Sequence, residues 1–173
     1  MGAGDDNGNN PSGLVFTPFF RNGLTLALAV LVVDQITKWW IVFTVMQPPR
    51  VIPVTPFFNL VMGWNQGISF GMLDSDFQAM AWILSLVAVA ISAALGVWLY
   101  RADRLRVALS IGLVIGGAVG NVIDRVRWGA VADFLDLHWA GYHWPAFNVA
   151  DSAITIGALV LILDSLFVRE KKS

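Results

Sequence analysis

Cysteine is absent from the 173 residues. That excludes disulfides, thiol nucleophiles, cysteine-based metal sites and lipidation of this chain on cysteine. Charge is scarce too, at 13% of residues, and 11 basic against 12 acidic side chains leave a formal charge of -1. A basic footprint for nucleic acid is therefore missing, and no nucleic-acid partner is expected. The two histidines, His138 and His143, stand five apart without the His-Glu-x-x-His pattern, so no metal or other cofactor is called for. What fills the chain is apolar: 57% hydrophobic residues and a mean hydropathy of +0.67, too apolar for a soluble domain. Windows at residues 23–45, 79–100, 107–123 and 149–168 each approach the roughly 20 apolar residues that a spanning helix needs. The expected fold is an all-α membrane bundle of four transmembrane helices with a small β-rich extramembrane portion on the outer face.

The organisation follows from where the apolar runs stop. Residues 1–21, rich in glycine and asparagine, read as a mobile leader. Residues 22–168 read as one membrane-embedded domain, and 169–173 as a basic tail. Arg21, the loop holding Arg101, Arg104 and Arg106, and the tail residues Arg169, Lys171 and Lys172 fall on one side of a four-span topology. By the positive-inside rule that side is cytoplasmic, which puts both termini inside and the segments 46–78 and 124–148 outside. Within 46–78, Pro48, Pro49, Pro53 and Pro56 break helix, while 51–54 and 57–62 look like short strands. Gly112, Gly116, Gly117 and Gly120 offer another helix a close approach. Trp128, Trp139, Tyr142 and Trp144 fit an interfacial aromatic belt in contact with membrane lipids.

Carboxylates cluster between residues 116 and 151, at Asp124, Asp133, Asp136 and Asp151. An ionisable group near hydrocarbon costs several kcal/mol unless paired or solvated, which marks such residues as functional candidates. Asp133 and Asp151 can meet at one membrane face, and paired carboxylates in an apolar site suit acid/base chemistry. The plainer role for Asp151, in the first turn of the last helix, is to cap that helix. Asp164, in the last turn, lies about 20 Å away at 1.5 Å per residue and cannot join. Asp34 and Lys38 share a helix face at i, i+4 and either neutralise one another or act near the site. Asp124 beside Arg125 reads as a structural or substrate-orienting pair, with the arginine keeping the acid ionised. The Asn65–Gly71 stretch holds a G-x-S-x-G around Ser69, but a serine-hydrolase elbow needs a large α/β sheet that this chain cannot house. A proton-coupled transporter would hold its acids near the midplane, and a non-enzymatic scaffold gives no reason for desolvated carboxylates.

Five motifs in order, DQITK at 34–38, NQGISFG at 65–71, GGAVGNVIDR at 116–125, VADFLD at 131–136 and FNVADS at 147–152, closely resemble the bacterial lipoprotein signal peptidase family. The resemblance implies an aspartic endopeptidase of the bacterial cytoplasmic (inner) membrane with its site toward the outer face. Its substrate would be a prolipoprotein, cut before the diacylglyceryl-modified cysteine. The implied catalytic dyad is Asp133 and Asp151. Asn65, Gly67, Asn121, Arg125 and Asn148 fall on positions lining the substrate site, and Asp34, Lys38 and Asp124 on supporting charges. Ile68 is bulkier than the small residue expected there and would narrow the pocket.

Overall fold

The computed structural model describes residues 16–67 and 77–170. The elements are α1 (Pro18–Trp40), which continues as a π-helical turn Ile41–Val45, β1 (Ile52–Thr55), β2 (Phe58–Asn65), α2 (Phe77–Tyr100), α3 (Leu105–Trp128), β3 (Val131–Trp139), β4 (Tyr142–His143) and α4 (Val149–Glu170). Four helical stretches, Pro18–Val45, Gln78–Tyr100, Leu105–Trp128 and Val149–Phe167, are long and apolar enough to cross a membrane. Their large side chains stay exposed along the shafts, as at Leu28, Leu86 and Leu159, a surface that suits hydrocarbon rather than water.

Two boundaries differ from the sequence reading. The first helix starts earlier than residue 23, at Pro18: Thr17 accepts a hydrogen bond from the Phe20 amide at 3.1 Å, and proline occupies the first turn. The third helix ends later, at Trp128, where Gly129 adopts φ 73° and returns its N–H to the Arg125 carbonyl at 2.9 Å. Asp124 and Arg125 therefore belong to a helix and not to an outer segment. Residues 1–15, Ile68 and Ser69, and the tail lysines lie outside the described residues.

The bundle is built around α3, which packs against the other three helices. Its glycines make this possible. A Cβ at Gly116 would lie 2.5 Å from the Ala27 carbonyl oxygen of α1, and Gly112 and Gly117 abut Gly23 and Ala150 in the same way. Small residues thus occur on both sides of each contact and bring backbone against backbone. The four strands form one antiparallel sheet in the order β1-β2-β3-β4. Phe134 of β3 packs with Ile41 and Met46 at the end of α1, joining the sheet to the bundle. The β2–β3 register sets Gly63 opposite Asp133 and Asn65 opposite Val131. Since β3 follows α3 directly and α4 begins soon after it, the sheet places Asp133 beside the start of α4.

Candidate active site

Strand β3, the start of α4 and helices α3 and α1 supply the site, with Asn65 at the end of β2. Alternation along β3 turns Asp133 and Asp136 to opposite faces. On one face, the Asp133 carboxylate accepts from Asn148 Nδ2 at 2.7 Å. Asn148 immediately precedes α4 and acts as its N-cap. Its Oδ1 accepts from the Asp151 amide at 2.8 Å, while Asp151 Oδ2 accepts from the Asn148 amide at 3.3 Å. This reciprocal arrangement is a capping box. It also makes one buried asparagine touch both aspartates. The capping role foreseen for Asp151 and its pairing with Asp133 are thus one geometry.

Asn121 of α3 is the second bridge. Its Nδ2 donates to Asp151 Oδ1 at 2.8 Å and its Oδ1 accepts from Lys38 Nζ at 2.9 Å. Lysine can only donate, so it fixes which end of this amide faces Asp151. Behind Asn121, Lys38 lies between Asp34 at 2.9 Å and Asp124 at 2.8 Å, all three at 0% exposure. Gln35 Nε2 donates to Asp124 Oδ1 at 3.0 Å and to Asp34 Oδ2 at 3.2 Å. Each acid also binds a backbone amide: Asp34 accepts from Ala150 at 2.9 Å, in the first turn of α4, and Asp124 from Ala132 at 3.2 Å, next to Asp133. The buried charges therefore position both elements that carry Asp133 and Asp151.

The i, i+4 pairing of Asp34 with Lys38 holds, but the expected Asp124–Arg125 pair does not form. Adjacent residues on a helix point in different directions, and Asp124 turns inward to Lys38. Arg125 makes no ion pair among the described residues, and its Nε is buried without a partner. It lines a cavity of about 370 Å³ with Gln66, Trp82 and Trp128, within electrostatic reach of Asp133 and Asp151. Asn65 Oδ1 accepts from the Gly67 amide at 2.8 Å, and Gly67 has φ 89°, a conformation suited to glycine. Asp164 sits at the other end of α4, bonded to Arg104 at 2.9 Å.

Burial and the neighbouring Asp151 charge raise the Asp133 carboxyl to about 6, with the Asn65 and Asn148 amides acting the other way. Asp136 behaves oppositely. Burial pushes it up, but hydrogen bonds from His143 at 2.8 Å and Asn59 at 2.8 Å outweigh this and hold it below the usual carboxylate range. The sequence reading does not single out Gln35 or Asn59. Gln35 lies inside the DQITK motif, which was a signal of sorts, whereas Asn59 on a strand gave none.

A family model described as signal peptidase (SPase) II matches residues 26–167. The chain belongs to the signal peptidase II family. Among its relatives are proteins named lipoprotein signal peptidase. That of Methylobacterium sp. (strain 4-46) is 43% identical over 146 residues, covering 84% of this chain and 88% of the relative. That of Syntrophotalea carbinolica is 44% identical over 146 residues, covering 83% and 90%. A bacterial membrane enzyme solved by the in meso method at 2.3 Å resolution superposes with a TM-score of 0.75 at 33% identity, covering 88% of this chain and 92% of that one. Signal peptidase II membership makes this chain a protease and, with its four spans, a multi-pass inner membrane protein. The resemblance carried by the five motifs is borne out.

Proposed function

We propose that this chain is an aspartic endopeptidase that removes the signal peptide of prolipoproteins before a diacylglyceryl-modified cysteine, with Asp133 and Asp151 as its catalytic pair. The names of its relatives support the substrate. The observation that carries the chemistry is Asn148, which touches both carboxylates at once. Asp151, bound by Asn121 and sitting at the positive end of α4, is assigned as the general base. Asp133 is the proton carrier.

A water held between them loses its proton to Asp151 as its oxygen bonds to the scissile carbonyl carbon. Asp133 gives its proton to the carbonyl oxygen. The resulting diol collapses when Asp151 passes its proton to the departing amine, the C–N bond breaks, and the diol proton returns to Asp133. Such acid/base participation contributes on the order of 10² to 10⁴ in rate. Asn65, Gly67 and Arg125 border the substrate, and Arg125, without an ion-pair partner in the described chain, is the donor free to bind a peptide carbonyl. Asp34, Lys38 and Asp124 hold the frame.

The site faces outward and both termini are cytoplasmic, on the strength of the arginines at 101, 104 and 106. The lipid is part of what is recognised: each buried CH₂ contributes roughly 0.8 kcal/mol, and this remote binding positions the scissile bond. The test uses purified protein and matched precursors with and without the diacylglyceryl group. Wild type should cleave the lipidated precursor, and Asp133→Asn should not. Cleavage by folded Asp133→Asn would refute the dyad, and equal kcat/KM on both precursors would refute lipid recognition.

A further inference from the structure

At the end of the bundle remote from the dyad, a cavity of about 470 Å³ lies between the α2–α3 loop and the last turns of α4. Arg104 to Asn121 spans 17 residues of α3, so about 25 Å separates it from the catalytic groups. Its walls are of two kinds. Trp98 and Leu161 supply apolar surface, while Arg101, Asp103, Arg104 and Asp164 supply charge. Asp164 is nearly buried and is held by Arg104 at 2.9 Å. The second contact of Arg104, to the exposed Asp103, is long at 3.6 Å. Arg101 forms no ion pair among the described residues. The cavity opens beside the ends of three apolar spans, α2, α3 and α4, which is where a spanning helix meets the headgroup region.

Two guanidinium and two carboxylate groups cancel in formal charge, so the cavity offers no net attraction to an anion. It does offer separated charges of both signs beside apolar walls. A guanidinium binds a phosphate oxygen pair in its planar fork, and a carboxylate accepts hydrogen bonds from a primary ammonium. We infer that this cavity binds the headgroup of a phospholipid carrying both phosphate and a primary ammonium, that is, phosphatidylethanolamine. Arg101 and the free edge of Arg104 take the phosphate, Asp103 takes the ammonium, and the acyl chains descend past Trp98 and Leu161. A quaternary ammonium cannot donate to Asp103, and a glycerol headgroup leaves that carboxylate without its cation.

The test is native mass spectrometry of the full chain, delipidated in detergent and offered equimolar phosphatidylethanolamine, phosphatidylglycerol and phosphatidylcholine. The ethanolamine lipid should be retained preferentially, and Arg101→Gln should lower its retention about tenfold, as loss of one charge-assisted hydrogen bond implies. Asp103→Asn, at an exposed position, should erase the preference over phosphatidylcholine while lipid is still bound. Peptidase activity of both variants in detergent should match wild type, which shows them folded. Equal retention of the three lipids, preference for phosphatidylglycerol, or unchanged retention in Arg101→Gln would overturn the inference.

Discussion

Two pairs of aspartates lie close together in this molecule and differ in what stands between them. Between Asp34 and Asp124 stands an ammonium group, Lys38, within 2.9 Å of both. Between Asp133 and Asp151 stands an amide, Asn148. A cation placed between two carboxylates bonds to both and offsets one of their two charges in a medium that solvates neither, and the result is a fixed structural unit. An amide satisfies hydrogen bonds without supplying charge, so burial, together with the repulsion that persists in the second pair, raises the Asp133 carboxyl to about 6. The same residue type thus serves structure in one place and is suited to proton transfer a few ångströms further on. The pairs are also coupled, since Lys38 orients Asn121 and Asn121 orients Asp151.

The largest expected effect comes from breaking the amide-bridged pair. Asp133→Asn or Asp151→Asn should lower kcat by about 10³ or more, given the contribution of acid/base groups, with the protein still folded by circular dichroism. His138→Ala, His143→Ala and Ser69→Ala should retain most of their activity under the same assay, and a comparable loss in any of them would count against the dyad.

Breaking the cation-bridged pair should instead cost stability. Lys38→Met leaves two buried carboxylates without a counter-charge and should destabilise by about 3–5 kcal/mol, read by denaturation in detergent. Adding Asp34→Asn and Asp124→Asn to that variant should restore much of the loss. If Lys38→Met melted like wild type, the cation would not be the structural element described here.

Packing gives a smaller effect. Gly116→Val places atoms against the Ala27 carbonyl and should destabilise by about 1–3 kcal/mol, whereas Gly96→Ala, with nothing within 4 Å of the new Cβ, should be neutral or slightly stabilising in the same melt.

The most graded test is pH. The Asp133 carboxyl is raised from 3.8 to about 6, so the folded protein binds an extra proton in that window and the unfolded chain does not. Stability should therefore fall as pH rises from about 4 to about 6, and the slope should flatten in Asp133→Asn. The kcat/KM profile of free enzyme should carry a descending limb as Asp133 loses its proton near pH 6. A flat profile through that range would remove Asp133 as the proton carrier.

Hydropathy and spacing are local properties, and what they govern was legible in the sequence. Four apolar runs specified four helices because a spanning segment must satisfy its own backbone within the segment. The interval of four between Asp34 and Lys38 specified their pairing, and alternating residues beside prolines marked the strands. The motifs named the family and placed Asp133, Asp151 and Asn148 among the site residues. Which partner each residue meets across the chain was decided only by tertiary structure. Sequence adjacency suggested Arg125 for Asp124, and helix geometry delivered Lys38, 86 positions away. The motif set Asp133 apart from Asp136 but not what each would meet: the pleat of β3 turns Asp136 toward Asn59 and His143 and Asp133 toward Asn148. The glycines of α3 announced close contact but not its partners, Gly23, Ala27 and Ala150. Composition fixes what a segment must bury, whereas the environment that pairs one carboxylate with a cation and raises the pKa of another exists only once distant segments have packed.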